Sequence, residues 1–208
     1  MSSQLEFFDD AGANKDAARM LEGFKYRPSL IASQEEKKLL ARVSDLPFKP
    51  FEFHGYRGKR RVVSFGWQYE FSGAGKLRKA EDIPSFVLPL RERVGSFANI
   101  EPAEFEHVLV IEYGPGAGIG WHRDKPVFGE VVGVSLLAPC TLRFRRKSDE
   151  KWERTNVLAE PRSAYLLTGP ARSEWEHSIL RVDALRYSIT FRTLRREADP
   201  AISTDHTD

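Results

Sequence analysis

The sequence predicts a mainly β domain of the α+β kind, a sandwich or jelly roll with short helices ahead of it. Three observations carry that expectation. Short apolar or alternating runs recur at His107–Tyr113, Val131–Leu137, Thr141–Arg146, Trp152–Leu158, Ser163–Thr168 and Tyr187–Leu194. Gly, Pro, Asp and Ser punctuate them. The helical periodicities come before these runs instead of alternating with them, which argues against a parallel α/β sheet.

Taken in order, residues 1–25 hold few periodic apolar positions and read as an N-terminal arm, with Leu5, Phe7 and Phe8 able to pack. Ser33-Gln34-Glu35-Glu36 has the form of a capping box, and Leu39, Leu40, Val43 and Leu46 follow at helical spacing until Pro47. From Phe48 onward the chain is rich in aromatic, glycine and basic residues and alternates like a strand. Phe65, Trp67, Tyr69 and Phe71 then share one face. Two readings are open for it: a strand burying its aromatic side in a core, or a hairpin whose rings meet a planar ligand. In the second reading Arg57, Lys59, Arg60 and Arg61 lie beside the rings to meet phosphates. Ser72–Lys79 reads as a loop, and Phe86, Leu90, Val94 and Phe97 mark a second amphipathic helix entered through Pro84 and Ser85. Residues 26–196 form one domain, and 197–208 a polar tail.

The 208 residues suffice for one domain with a sizeable core, and 41% hydrophobic with 12% aromatic content is ordinary for a globular fold. A net charge of +2 sets up no overall field that demands a polyanion. Local clusters at Arg57–Arg61 and Arg143–Lys147 are either solvated edges or phosphate contacts. The single cysteine, Cys140, excludes an intramolecular disulfide and a thiolate zinc site, and its apolar neighbours suit a small core residue. No apolar run approaches the roughly 18 residues of a membrane span, and the N-terminus lacks the basic start and apolar core of a signal peptide. A cytoplasmic monomer with no membrane partner is expected.

Two residue sets carry chemistry. His122 and Asp124 stand at i and i+2 after an apolar strand and a Gly-Pro turn, and His177 supplies a second imidazole from a distant strand. Two imidazoles and one carboxylate on one face of a metal suit Fe(II), leaving positions for a chelating cosubstrate and O2. His54, His107 and His206 have no comparable companions and read as structural or solvent residues. The second set is the strand Arg186–Arg192, where period-two geometry puts Arg186, Ser188, Thr190 and Arg192 on one face and Tyr187, Ile189 and Phe191 on the other. The polar face either lies at the surface or points into a barrel. In a barrel its guanidiniums need anions, and a dicarboxylate pairs with them bidentately, with Tyr113 able to donate its hydroxyl.

Tyr113-Gly-Pro-Gly-Ala, then His122-x-Asp124, then His177, then Arg-x-x-x-Thr-x-Arg at 186–192 resembles the AlkB family of Fe(II)/2-oxoglutarate dioxygenases across about residues 60–194. Phe65 to Gly73 resembles the family's substrate lid. The resemblance implies a double-stranded β-helix, the jelly roll, with flanking N-terminal helices. It implies iron held by His122, Asp124 and His177, and 2-oxoglutarate held by Arg186, Tyr113, Ser188, Thr190 and Arg192. It further implies oxidative demethylation of methylated DNA or RNA, with Trp67, Tyr69 and the basic residues beside them on the substrate. Departures from the family pattern are Ile111 and Ser188 where many members carry asparagine, and Pro126 where bacterial repair members carry an acid that contacts the base. The same chemistry on a protein side chain or small molecule is the alternative, and a non-catalytic nucleic-acid binding module is the third reading.

Overall fold

The computed structural model describes Arg19 and residues 21–53, 56–70 and 76–195. Leu5, Phe7, Phe8, His54, Phe71, His206 and the expected tail lie outside the described residues. The chain runs β1 (Phe24–Arg27), α1 (Ser33–Val43), β2 (Lys49–Phe53), β3 (Tyr56–Phe65), β4 (Trp67–Glu70), β5 (Lys76–Lys79), α2 (Leu88–Ala98) and β6 (His107–Tyr113). It continues through β7 (Ile119–His122), β8 (Phe128–Leu136), β9 (Cys140–Ser148), β10 (Lys151–Ala159) and β11 (Ala164–Leu167). The short α3 (Gly169–Ser173), β12 (Glu176–Ile179) and β13 (Arg186–Leu194) complete it.

The strands form two facing antiparallel sheets, the jelly roll that the sequence predicts. The larger has the order β1-β11-β8-β13-β6-β3-β2, the smaller β10-β9-β12-β7, and β4-β5 stands apart as a hairpin. Strand alternation divides the apolar residues into two cores. Val108 and Val110 of β6, Val134 and Leu136 of β8, and Ile189 and Phe191 of β13 pack outward against Leu39 and Val43 of α1 and Leu90 and Val94 of α2. Ile111 and Tyr113 of β6 turn the other way, to Leu142 and Phe144 of β9, Val157 of β10 and Trp175. Tyr187, Ile189 and Phe191 thus face the helices, and Arg186, Ser188, Thr190 and Arg192 face the space between the sheets.

The elements differ from expectation at several points. The helix cap sits one residue earlier than the sequence suggests: Glu35, not Glu36, reaches back, its Oε2 accepting the Ala32 N–H at 2.9 Å. Glu36 is freed to accept the Leu137 N–H at 2.9 Å, tying α1 to the end of β8. Residues 21–25 belong to the domain and not to an arm, because Leu21 and Phe24 are buried and β1 pairs with β11. The expected loop Ser72–Lys79 includes β5, paired from Trp67↔Lys79 to Glu70↔Lys76.

The single aromatic face expected from Phe65 to Phe71 is broken at Gly66. That residue has φ +73°, and a Cβ there would stand 2.0 Å from the Glu106 carbonyl oxygen. Phe65 is therefore buried with the helices while β4 leaves the sheet to form the hairpin. Gly66→Ala should destabilise the chain by at least about 2 kcal/mol, since it combines left-handed strain with a backbone clash. The midpoint of urea unfolding measures this.

Candidate active site

The smaller sheet brings the two imidazoles together. β12 pairs with β7 so that His177 lies directly opposite His122, with ring centroids 4.3 Å apart. His122 Nδ1 lies 3.0 Å from the Gly120 carbonyl oxygen. A carbonyl only accepts, so Nδ1 carries the proton and Nε2 keeps its lone pair. Asp124 follows the end of β7 and meets Arg192 from β13, whose Nε and Nη2 donate to Oδ1 at 2.9 and 2.8 Å. Asp124 Oδ2 stands 3.7 Å from His177 Nε2. Among the described residues no three or more His, Cys, Asp and Glu side chains are arranged to hold a metal ion as they stand; in this cluster Asp124 gives one carboxylate oxygen to Arg192.

Burial sets the protonation states. Burial alone would raise the Asp124 carboxyl, but the Arg192 guanidinium, with His177 and Arg172, holds it far below the usual carboxylate range. Burial, and then the neighbouring His122, push the His177 imidazole from 6.5 down to about 3, and burial lowers His122 as well. The cluster at neutral pH is therefore two neutral imidazoles and one carboxylate, the donor chemistry that suits a divalent iron.

The polar face of β13 runs inward from this cluster. Arg186 is fully buried, its Nε and Nη2 lie 3.3 and 3.1 Å from Ser135 Oγ, and its guanidinium lies over the Tyr113 ring at 4.8 Å. Its Nη1 has no hydrogen-bond partner among the described residues. Ser188 and Thr190 are buried on the same face. A buried guanidinium facing a hydroxyl and a ring, with an N–H left over, lacks the anion that offsets its desolvation.

Beyond the cluster of His122, Asp124 and His177 opens a cavity of about 1320 Å³. His122, Asp124 and Arg192 line it, with Leu109 and Ile111 on its wall; Arg186, Tyr113, Ser188 and Thr190 are not part of its lining. Of the expected substrate residues, Lys59, Arg60 and Tyr69 line the cavity. Arg60 lies over the Phe51 ring at 3.8 Å, and Lys125 over Tyr69 at 5.4 Å. Two expectations are corrected. Trp67 is not in the lining, because its partner across the hairpin is Lys79, whose ammonium lies 5.5 Å from its ring centre. Arg61 points out of the cavity, where its Nε and Nη2 donate to Glu112 at 2.7 and 2.9 Å. The Arg57 side chain lies outside the described residues.

Two further residues belong to the site. His107, read from the sequence as structural, lines the cavity with its Nδ1 3.4 Å from Arg192 Nη1 and its ring against Phe128. Period-two counting back from Tyr113 through Ile111 and Leu109 would have placed it there. Arg172 of α3 donates to the carbonyls of Lys125, Phe128 and Gly129, clamping the turn that follows Asp124. No sequence signal marks it, because its partners lie more than forty residues away.

The acid response of the metal-free protein follows from these shifts. His107 is lowered by burial and then by Arg192, His122 by burial, and His177 by burial and then by His122. A depressed folded value means that the unfolded chain takes up protons the native state refuses. Stability is thus full above about pH 6.5 and lost as pH falls toward 3. Metal-free thermal scans should show the melting temperature dropping between pH 7 and pH 5, and His107→Gln should reduce that slope.

The model of the 2OG-Fe(II) oxygenase superfamily matches residues 23–192. The chain is 28% identical over 206 residues to the alkylated DNA repair protein ALKBH8 homolog of Arabidopsis thaliana, covering 87% of this chain and 58% of the relative. It is 29% identical over 154 residues to the mitochondrial alpha-ketoglutarate-dependent dioxygenase alkB homolog 7 of Mus musculus, covering 72% and 64%. The chain thus spans less than two thirds of these relatives' length. Among solved structures, a Pseudomonas putida prolyl-4-hydroxylase has the same fold, with TM-score 0.55 at 16% identity over 90% of this chain and 99% of that one. A 2OG-Fe(II) oxygenase family oxidoreductase from Burkholderia pseudomallei superposes with TM-score 0.59 at 14% identity, over 91% and 93%. With its two histidines, its aspartate and its buried arginines in place, the chain belongs to the 2OG-Fe(II) oxygenase superfamily as an AlkB-like member, a family that works with Fe(II), 2-oxoglutarate and O2.

Proposed function

We propose that this chain oxidatively removes methyl groups from N-methylated bases in DNA or RNA. The observation that carries the reading is the cation-rich cavity mouth beside the metal cluster. Lys59, Arg60, Arg123, Lys125, Arg143 and Arg181 line it, against the carboxylates of Glu81 and Asp124. Such a wall suits a polyanion, and Tyr69 and Trp121 offer ring area for a base.

His122, Asp124 and His177 are the residues that would hold the iron. When bound, iron and 2-oxoglutarate supply the oxidising chemistry: one atom of O2 enters succinate as CO2 leaves, and the other enters a C–H bond of the N-methyl group. The hydroxymethylamine then breaks its C–N bond, with the electron pair and a proton returning to nitrogen and formaldehyde leaving. The protein holds the parts of this reaction in place. Arg186, with its spare Nη1 and the adjacent Tyr113, is the partner for the distal carboxylate of 2-oxoglutarate. Ser188 and Thr190 lie beside it on the same face of β13. Arg192 fixes Asp124 by two N–H bonds to Oδ1, and Arg172 fixes the turn after it.

Formaldehyde release from methylated single-stranded DNA or RNA, with Fe(II) and 2-oxoglutarate present, is the direct test. His122→Ala should abolish it. Arg186→Ala should weaken 2-oxoglutarate by about ten- to a hundredfold through loss of charge-assisted bonds, read as a lost thermal shift with 2-oxoglutarate and redox-inert Mn(II). Succinate formed on some other substrate, with no turnover on any methylated base, would remove the nucleic-acid part. The second reading, the same chemistry on a protein side chain or small molecule, is favoured by the cations already covering Phe51 and Tyr69. It predicts oligonucleotide binding that is absent or insensitive to salt.

A further inference from the structure

The outer face of the smaller sheet carries cations and rings that extend beyond the cavity, among them Arg145, Lys147 and Trp152, none of which lines it. β9 alternates: Leu142 and Phe144 enter the core, which turns Arg143, Arg145 and Lys147 to the other side. Trp152 on β10 lies opposite Lys147. The Arg145 guanidinium stands 4.5 Å from the Trp121 ring centre and 4.6 Å from that of Trp152, and Arg143 stands 4.8 Å from Trp121. Two guanidiniums and two indoles therefore alternate in one row, with Trp152 at its end 42% exposed.

Beside the row runs a shallow groove of about 380 Å³, lined by Arg123, Arg145, Arg146, Lys147 and Trp152, with Glu174 and Glu176 as its acids. Both acids are engaged, Glu174 by Arg146 at 2.7 Å and Glu176 by Arg145 at 2.6 Å. Arg123 and Lys147 leave the groove with a net positive charge; Arg123 donates from Nη1 to the uncharged Ser173 carbonyl at 3.1 Å. Arg123 also lines the cavity mouth, as do Trp121 and Arg143. The groove and the cavity thus meet at Arg123.

We propose that this face is a track for single-stranded nucleic acid, leading its backbone past Arg123 into the cavity mouth. The assignment rests on the demethylase reading above, but its test stands apart from it. Alternate β9 positions set Arg143, Arg145 and Lys147 about 7 Å apart along an extended line; with Arg145 held by Glu176, the charge offered to phosphates is that of Arg143, Lys147 and the neighbouring Arg123. An exposed indole at the end of that line offers a stacking face to a base of any identity. An acidic peptide would use the cations and leave the ring idle.

The test titrates the full chain with a labelled, unmethylated single-stranded RNA at several salt concentrations. Trp152→Ala should weaken binding about tenfold, the loss of one stacked base, while Trp152→Phe should keep most of the affinity. Lys147→Ala should reduce the slope of log affinity against log salt by about 0.7, one phosphate contact on a single strand. Circular dichroism confirms that each surface variant is folded. Unchanged binding in both Trp152→Ala and Lys147→Ala overturns the track, and so does displacement of the RNA by poly-glutamate at equal charge. RNA binding that follows these variants while no methylated base yields formaldehyde upholds the track and removes the demethylase reading. Formaldehyde release with binding unchanged by the variants does the reverse.

Discussion

Arg192 and Asp124 form an ion pair in the interior between the two sheets, and the candidate site is arranged around it. Neither residue is tolerable there alone, since an unpaired buried charge costs several kcal/mol. The pair also joins the sheets, because Arg192 belongs to β13 of the larger one and Asp124 follows β7 of the smaller. Fixing Oδ1 leaves Oδ2 facing His177. Through Nη1 the same guanidinium meets His107. One side chain thus sets the orientation of the carboxylate and helps keep a neighbouring imidazole neutral.

The larger sheet supplies the rigidity this arrangement needs. Val108 and Val110 of β6 and Tyr187, Ile189 and Phe191 of β13 are anchored in the helix-side core, so the residues between them are held on the inner face with little freedom. Arg186 is costly to bury, and Ser135 and Tyr113 offset part of that cost. A site that stores an unsatisfied cation in a packed sheet is poised for an anion, and the energy of that pairing is recovered when the anion arrives.

Much of the fold and site was legible in the sequence because it rests on short-period patterns. The strand His107–Tyr113 has the same bounds in both, and that Arg186, Ser188, Thr190 and Arg192 share one face follows from alternation, while the packing of Tyr187, Ile189 and Phe191 on the helices turns that face inward. The hidden parts are those that depend on distant backbone. Gly66 breaks the aromatic face because the Glu106 carbonyl occupies the place of a side chain. Arg61 leaves the cavity because Glu112, across the β3–β6 ladder, pairs with it. Glu36 looks like a cap by spacing, yet the nearer Glu35 takes that bond and Glu36 goes to Leu137.

The sequence by itself determined the fold class, the helices ahead of the strands, and which histidines, aspartate and arginines are the candidates for chemistry, since type and period are local properties of a chain. Only the tertiary structure decided which of them meet. Strand pairing put His177 opposite His122, close packing gave Asp124 to Arg192, and hairpin geometry chose Tyr69 over Trp67 for the cavity wall. The row of Trp121, Arg145 and Trp152 belongs to the same category. Its members come from three strands, and nothing but the register of the smaller sheet brings them side by side.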